Sequence, residues 1–148
     1  MTFSGQTKSA EAGADGKWLV KLDPVSVNDQ PQSLKISDGT QTIEVADVLV
    51  GEVWMCSGQS NMGFVLRDDW NGEIEVAAAN YTKLRLLKVP NLGTQQLQED
   101  FKGSWKASTP QSAAGFTAVG FFYGRYLHQI LGEPGVQEPR VKREQSGG

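Results

Sequence analysis

Ser60 is the residue of this chain best placed to do chemistry. It lies in Gly58-Gln59-Ser60-Asn61, just after the apolar run from Val48 to Met55. A strand buried on both faces reads as such a near-continuous hydrophobic run, and open α/β sheets collect ligands beyond the carboxyl ends of their strands. A serine on a tight turn at that point faces the cleft as a nucleophile, with its own N–H and those of its neighbours available to an oxyanion. Gly58 lets the turn close, and Gln59 and Asn61 place polar groups beside the hydroxyl. Taken alone, the same four residues also read as a polar turn that ends a strand. Met62 stands where a Gly-x-Ser-x-Gly elbow needs glycine, so that motif is absent. A phosphate-cradling loop is a further reading, ranked low because there is no Gly-Lys-Ser/Thr sequence and no nearby lysine.

Other chemically capable residues carry plainer readings. His128 is the single histidine, and it falls with Arg125 and Gln129 on the polar side of a predicted helix, where a solvated side chain is expected rather than a base. Asp68 and Asp69 are adjacent acids in a polar loop and read as solvated. Trp54 belongs to the apolar run and is expected in the core, whereas Trp70 is equally readable as a face for a sugar ring. Cys56 is the single cysteine, which excludes an intramolecular disulfide and a thiolate metal site; its apolar neighbours predict a buried structural thiol.

The elements that must position Ser60 follow from periodicity. Over residues 2–47 the pattern predicts short antiparallel strands with hairpin turns at Asp15-Gly16 and Asp38-Gly39, since Asp and Gly tolerate positive φ. Trp18, Val20 and Leu22 alternate after the first turn, and Leu34, Ile36, Ile43 and Val45 flank the second, so one face of the sheet is expected to be buried. From Val48 the unalternated run predicts a central strand. Residues 73–80 predict a short helix and Lys83–Val89 a second strand, together a parallel βαβ unit. Residues 90–115 are loop-rich. Thr117–Leu131 predicts the longest helix, capped by Thr117, with Val119, Phe122, Tyr123, Tyr126, Leu127 and Ile130 toward the core and Phe121 at its edge. Residues 133–148 are polar and broken by Pro and Gly, which predicts a disordered tail.

Composition bounds the partners. A net charge of -3 with no dense Lys/Arg cluster removes the footprint of a nucleic-acid binder. No segment approaches the roughly 20 apolar residues of a membrane span, and the first residues lack the pattern of an export signal.

The longer run Gly51-Glu52-Val53-Trp54-Met55-Cys56-Ser57-Gly58-Gln59-Ser60-Asn61-Met62 closely resembles the nucleophile block of the sialate O-acetylesterase family, a branch of the SGNH-type esterases. The resemblance extends through Asp15-Gly16-Lys17-Trp18, Asp47-Val48-Leu49-Val50, Leu84-Arg85-Leu86, Gly103-Ser104-Trp105 and the Gly115–Leu131 segment, roughly residues 3–132. It implies an α/β fold: a partial antiparallel β-domain over 1–47, then over 48–132 the first part of an SGNH-hydrolase-like, flavodoxin-like three-layer core. It also implies hydrolysis of acetyl esters on sugars such as O-acetylated sialic acid, with Ser60 as nucleophile, a His base held by an Asp, and no metal or other cofactor. Family members are often periplasmic, secreted or lysosomal. The family's oxyanion glycine block, its Gln-Gly-Glu-type block and its Asp-x-x-His base are not found in this sequence, and no Asp has His three positions later. The chain therefore reads as a truncated fragment, inactive or nearly so by itself. The alternative is a non-catalytic carbohydrate-binding or interaction module.

Overall fold

A computed structural model describes residues 1–90, 93 and 95–131 and the backbone of 135–139. Two compact units divide the chain, Met1–Val50 and Gly51–Gly148.

The first unit is a four-stranded antiparallel sheet in the order β2-β1-β3-β4. β1 (Thr2–Phe3) and β2 (Gln6–Thr7) are joined by Ser4-Gly5, both at positive φ, as a two-residue hairpin turn requires. β3 (Asn28–Ser37) and β4 (Thr42–Val50) form the expected hairpin around Asp38-Gly39. Gly39 takes φ +93°, and the Asp38 carboxylate accepts hydrogen bonds from the Thr40 and Gln41 amides and the Thr40 hydroxyl. These bonds favour the charged form and hold the Asp38 carboxyl down to about 2. Between the pairs Gln32↔Val48 and Leu34↔Val45 the second strand carries one extra residue. Asp47, at φ +59°, absorbs it as a bulge.

Two expectations for this unit are corrected. Asp15-Gly16 does turn the chain, with Gly13 N–H bonded to Lys17 O, but Trp18–Leu22 forms no strand. Among the described residues no neighbouring backbone pairs with it, and Leu19 is 75% exposed. Leu34 and Ile36 alternate inward as expected, whereas their cross-strand partners Val45 and Ile43 remain exposed.

The second unit is a mixed sheet in the order β5-β8-β6-β7. β5 (Glu52–Cys56), β8 (Gly135–Pro139) and β6 (Tyr81–Leu86) run parallel, and β7 (Lys106–Ser108) is antiparallel to β6. The chain is thus α/β with antiparallel sheet. Helices α1 (Ser60–Gly63), α2 (Gly72–Ala77), α3 (Pro110–Ala113) and α4 (Ala118–Leu131) connect the strands, with one 3-10 turn at Leu66–Asp68. Leu66, Ala79, Leu84, Leu86, Ala113, Phe116, Ala118 and Phe121 make the core.

Here the run Val48–Met55 divides at Gly51. Val48–Val50 ends β4, and β5 is the sheet's terminal strand, with Val53, Trp54 and Met55 exposed. An apolar run shared between two strands has the same composition as one strand buried on both faces, so periodicity could not separate them. The parallel strand–helix–strand unit is present, yet β8 lies between its two strands. β8 belongs to the segment expected to be disordered; the unpaired edges of β5 and β6 give its backbone partners that an apolarity pattern cannot register. The rest of 133–148 lies outside the described residues.

The face of α4 is rotated from the expected one: Phe122 and Leu127 are half-buried and Gln129 exposed as expected, but Val119, Tyr123, Tyr126 and Ile130 are exposed. Phe121 is fully buried and Phe122 half-buried, while Tyr123 is exposed. Arg125 and His128 turn inward instead of outward. Arg125 is ion-paired with Glu75 of α2 and lies over the Phe121 and Phe122 rings at 5.7 and 5.0 Å. A paired guanidinium can occupy an inward position that a hydrophobicity pattern reserves for apolar side chains.

Candidate functional site

Because β5 and β6 share a direction, their carboxyl ends define one edge of the sheet. Ser60 stands at that edge, four residues beyond the end of β5. Gln59 turns the chain out of the strand at φ -110°, ψ -125°, and Ser60 opens α1, closed by a bond from Gly63 N–H to Gln59 O at 2.9 Å. In a helical first turn the amides of Ser60, Asn61 and Met62 have no intrahelical acceptor. Gly58 is needed here for closeness: a Cβ would meet Met62 Cγ at 2.5 Å. Gln59, Ser60 and Asn61 are exposed and Gly58 is half-buried. Among the described residues nothing hydrogen-bonds the Ser60 hydroxyl.

The segment leaving α1 is stitched to the connection between α3 and α4. Ala118 N–H donates to Phe64 O, Leu66 N–H to Phe116 O and Arg67 N–H to Ala114 O, all within 3.1 Å. Leu66 is fully buried beneath them. That connection is itself fixed by a cap at the start of α3: the Thr109 hydroxyl accepts from Ser112 N–H, the Ser112 hydroxyl accepts from Thr109 N–H, and Pro110 follows the cap. Sequence reasoning passed over residues 90–115 as loop; Thr109-Pro110 followed by Ser112 was the available signal. Thr117 caps α4 as expected, accepting from Gly120 N–H at 3.5 Å.

His128 is not part of this edge. α4 starts beside Phe64 and runs back across the sheet, so His128, ten residues past Ala118, lies about 15 Å along the helix axis. Its ring packs edge-on to Tyr81, the first residue of β6, at 6.0 Å. Asp68 and Asp69 share the loop after Leu66; Asp68 is exposed beside Arg67 and Asp69 is half-buried. Trp70 is 96% exposed. Trp54, expected in the core, is partly exposed and packs edge-on to Tyr123 at 5.3 Å. Cys56 is half-buried, and burial pushes its thiol above the ordinary value, which disfavours the thiolate. Among the described residues no three His, Cys, Asp or Glu side chains cluster as metal ligands, and no helix is long and apolar enough to cross a membrane.

The carboxyl edge also holds an open depression of about 420 Å³ at the end of β6, lined by Leu86, Lys88, Ser104, Lys106, Ser112 and Phe116 among others. Ser60 is not among its lining residues. Lys88 Nζ donates to Gly115 O at 2.9 Å.

No family model matches the chain. Among curated proteins it is 32% identical to human sialate O-acetylesterase over 148 residues, covering 90% of this chain and 28% of that protein. The sialate O-acetylesterase of Rattus norvegicus is 32% identical over 136 residues, 82% of this chain and 25% of the relative. A crystal structure of a carbohydrate acetylesterase from Xanthomonas citri superposes with a TM-score of 0.81 at 38% identity, covering 86% of this chain and 30% of that one. The chain spans about a quarter to a third of the length of these proteins. The resemblance carried by the block around Ser60 is therefore one of extended sequence and of fold, and this chain is a relative of the sialate O-acetylesterases over most of its length.

Proposed function

We propose that the chain provides the nucleophile part of a serine carbohydrate esterase, with residues 48–132 as the first elements of an SGNH-type three-layer core. The carrying observation is Ser60, exposed on a one-turn helix just past the carboxyl end of β5 within a block like that of the acetylesterases. Its Oγ attacks the carbonyl carbon of an acetyl ester on a sugar, and the Ser60 N–H donates to the oxyanion, with Gly58, Gln59 and Asn61 shaping the turn. The sugar alkoxide leaves as the acetyl-enzyme forms, and water then releases acetate. Proton transfer needs a base, and His128 at the opposite edge does not supply it. The isolated chain is accordingly inactive, since an unassisted serine hydroxyl is a weak nucleophile at neutral pH.

The test is a chimera in which this chain's residues 1–131 replace the matched stretch of the Xanthomonas citri acetylesterase. The chimera should release acetate from an acetylated sugar, and Ser60→Ala within it should lower kcat by at least about a thousandfold. A folded, active chimera indifferent to Ser60→Ala would refute the assignment. Rapid turnover by the isolated chain, abolished by Ser60→Ala, would refute the claim of inactivity.

The second reading, a sugar-binding module without catalysis, draws on Trp70. At 96% exposure its indole is open to the apolar face of a pyranose. Saturable quenching of tryptophan fluorescence by an O-acetylated sugar, lost in Trp70→Ala and without hydrolysis, would favour it.

A further inference from the structure

The depression at the end of β6 takes no part in the chemistry assigned to Ser60, which does not line it. Its volume of about 420 Å³ falls in the range of small-ligand sites. The floor is apolar, formed by Leu86 and Phe116, both buried. Two exposed cations border that floor. Lys106 opens β7 directly opposite Leu86, and Lys88 follows β6 two residues past Leu86. Lys88 Nζ gives one of its three N–H donors to Gly115 O at 2.9 Å, which fixes the ammonium at the wall and leaves two for a ligand. Among the described residues neither lysine has a carboxylate partner, and no Asp or Glu lines the depression. In a chain of net charge -3 this is a local concentration of positive charge. A concavity lined by one sign of charge focuses its field on an incoming ion.

We propose that the depression is a carboxylate-binding site. The two ammonium groups match the two oxygens of one carboxylate, and the apolar floor takes the carbon body of an organic anion, which inorganic phosphate lacks. The Ser112 hydroxyl is already committed, since it donates to Ala107 O at 2.7 Å and accepts from Thr109 N–H. Ser104 and Gln111 are exposed beside it and offer neutral groups to the rest of the ligand. The position agrees, because open α/β sheets collect ligands beyond the carboxyl ends of their strands. A free small acid such as acetate and a sugar acid such as glucuronate present the same two oxygens. Exposed ammonium groups are strongly hydrated, so the affinity is on the order of millimolar.

Two-dimensional amide NMR of the whole chain, titrated from about 1 to about 50 mM ligand at constant ionic strength, covers that range. Sodium acetate and sodium glucuronate should each give saturable shifts at the amides of Lys88, Ser104, Lys106 and Gln111, and glucose should give none. Raising sodium chloride from about 20 to about 200 mM should weaken binding several-fold, since exposed charges are screened. Lys88→Gln and Lys106→Gln should each raise the dissociation constant at least about threefold, while Lys102→Gln, outside the depression, leaves it unaltered. Lys88→Gln keeps a donor for Gly115 O; Lys106→Gln carries the test alone should the first variant disturb that connection. Binding of glucuronate about tenfold tighter than acetate, or more, assigns the carboxylate to a sugar, and any smaller preference assigns it to a free small acid. Tighter binding of inorganic phosphate than of either carboxylate would overturn the proposal. So would equal shifts with glucose, no saturable shift with either carboxylate, or a dissociation constant indifferent to both lysine variants.

Discussion

Ser60 and His128 occupy opposite ends of one parallel sheet. Ser60 follows the carboxyl end of β5, whereas His128 rests on Tyr81 at the amino end of β6. Proton transfer between them would need hydrogen-bond reach, whereas α4 carries His128 about 15 Å along its axis from the end beside Phe64. His128→Gln in the acetylesterase chimera should therefore keep kcat within a few-fold. A loss as large as that from Ser60→Ala would show a contact that this fold does not provide.

The ion pair between Glu75 and Arg125 ties α2 to α4 across fifty residues of sequence. Both side chains are about a quarter exposed, so either partner left alone is only partly hydrated. Glu75→Gln should cost about 1.5–3 kcal/mol, the range for a hydrogen bond to a charged group. Urea unfolding checks the value. Arg125→Met, which keeps contact with Phe121 and Phe122 but removes the charge, should cost less when made together with Glu75→Gln than the two singles sum to.

Gly72 admits no side chain. A Cβ there would meet Arg67 O at 2.4 Å and Leu66 O at 2.8 Å, both of them backbone atoms. Gly72→Ala should destabilise the second unit by about 1–3 kcal/mol despite alanine's better helix propensity. Thermal unfolding followed by circular dichroism would register the loss; an unchanged or raised Tm would contradict the close approach.

Acid should loosen the β3–β4 hairpin late. Asp38 is held from 3.8 down to about 2, first by the Gln41 amide and then by Thr40. A carboxyl depressed by folding contributes stability above its unfolded value, and that contribution disappears as pH falls through the folded value. The stability difference between the parent and Asp38→Ala should thus persist at pH 6, shrink below about pH 4 and disappear only below about pH 2. Backbone amide shifts of Thr40 and Gln41, titrated by NMR, would report the same midpoint.

Much of the candidate site's placement could be read from residue order, because local chemistry fixes it. The strand, the turn with Gly58 and the exposed Ser60 follow from an apolar run that stops at small polar residues. Thr117 was legible as a cap, and Asp38-Gly39 as a hairpin turn, since each acts within four residues. What stayed hidden depends on partners far along the chain. The inward side of α4 was misread because Glu75 neutralises Arg125 from another helix. Trp18–Leu22 alternates like a strand but finds no backbone partner among the described residues. Val48–Val50 and Val53–Met55 look continuous until Gly51 assigns them to different units.

β8 sets the order in which the strands of its sheet can pair during synthesis. β5 leaves the ribosome first among the strands of its sheet, yet its partner is made last, at Gly135–Pro139. Until then β6, β7 and α4 can pair and pack with one another, while the backbone of β5 waits without an acceptor. The turn after Ser60 can bond the 114–118 segment before then, but a nascent chain arrested before residue 135 would carry that turn on a strand that has not yet gained β8.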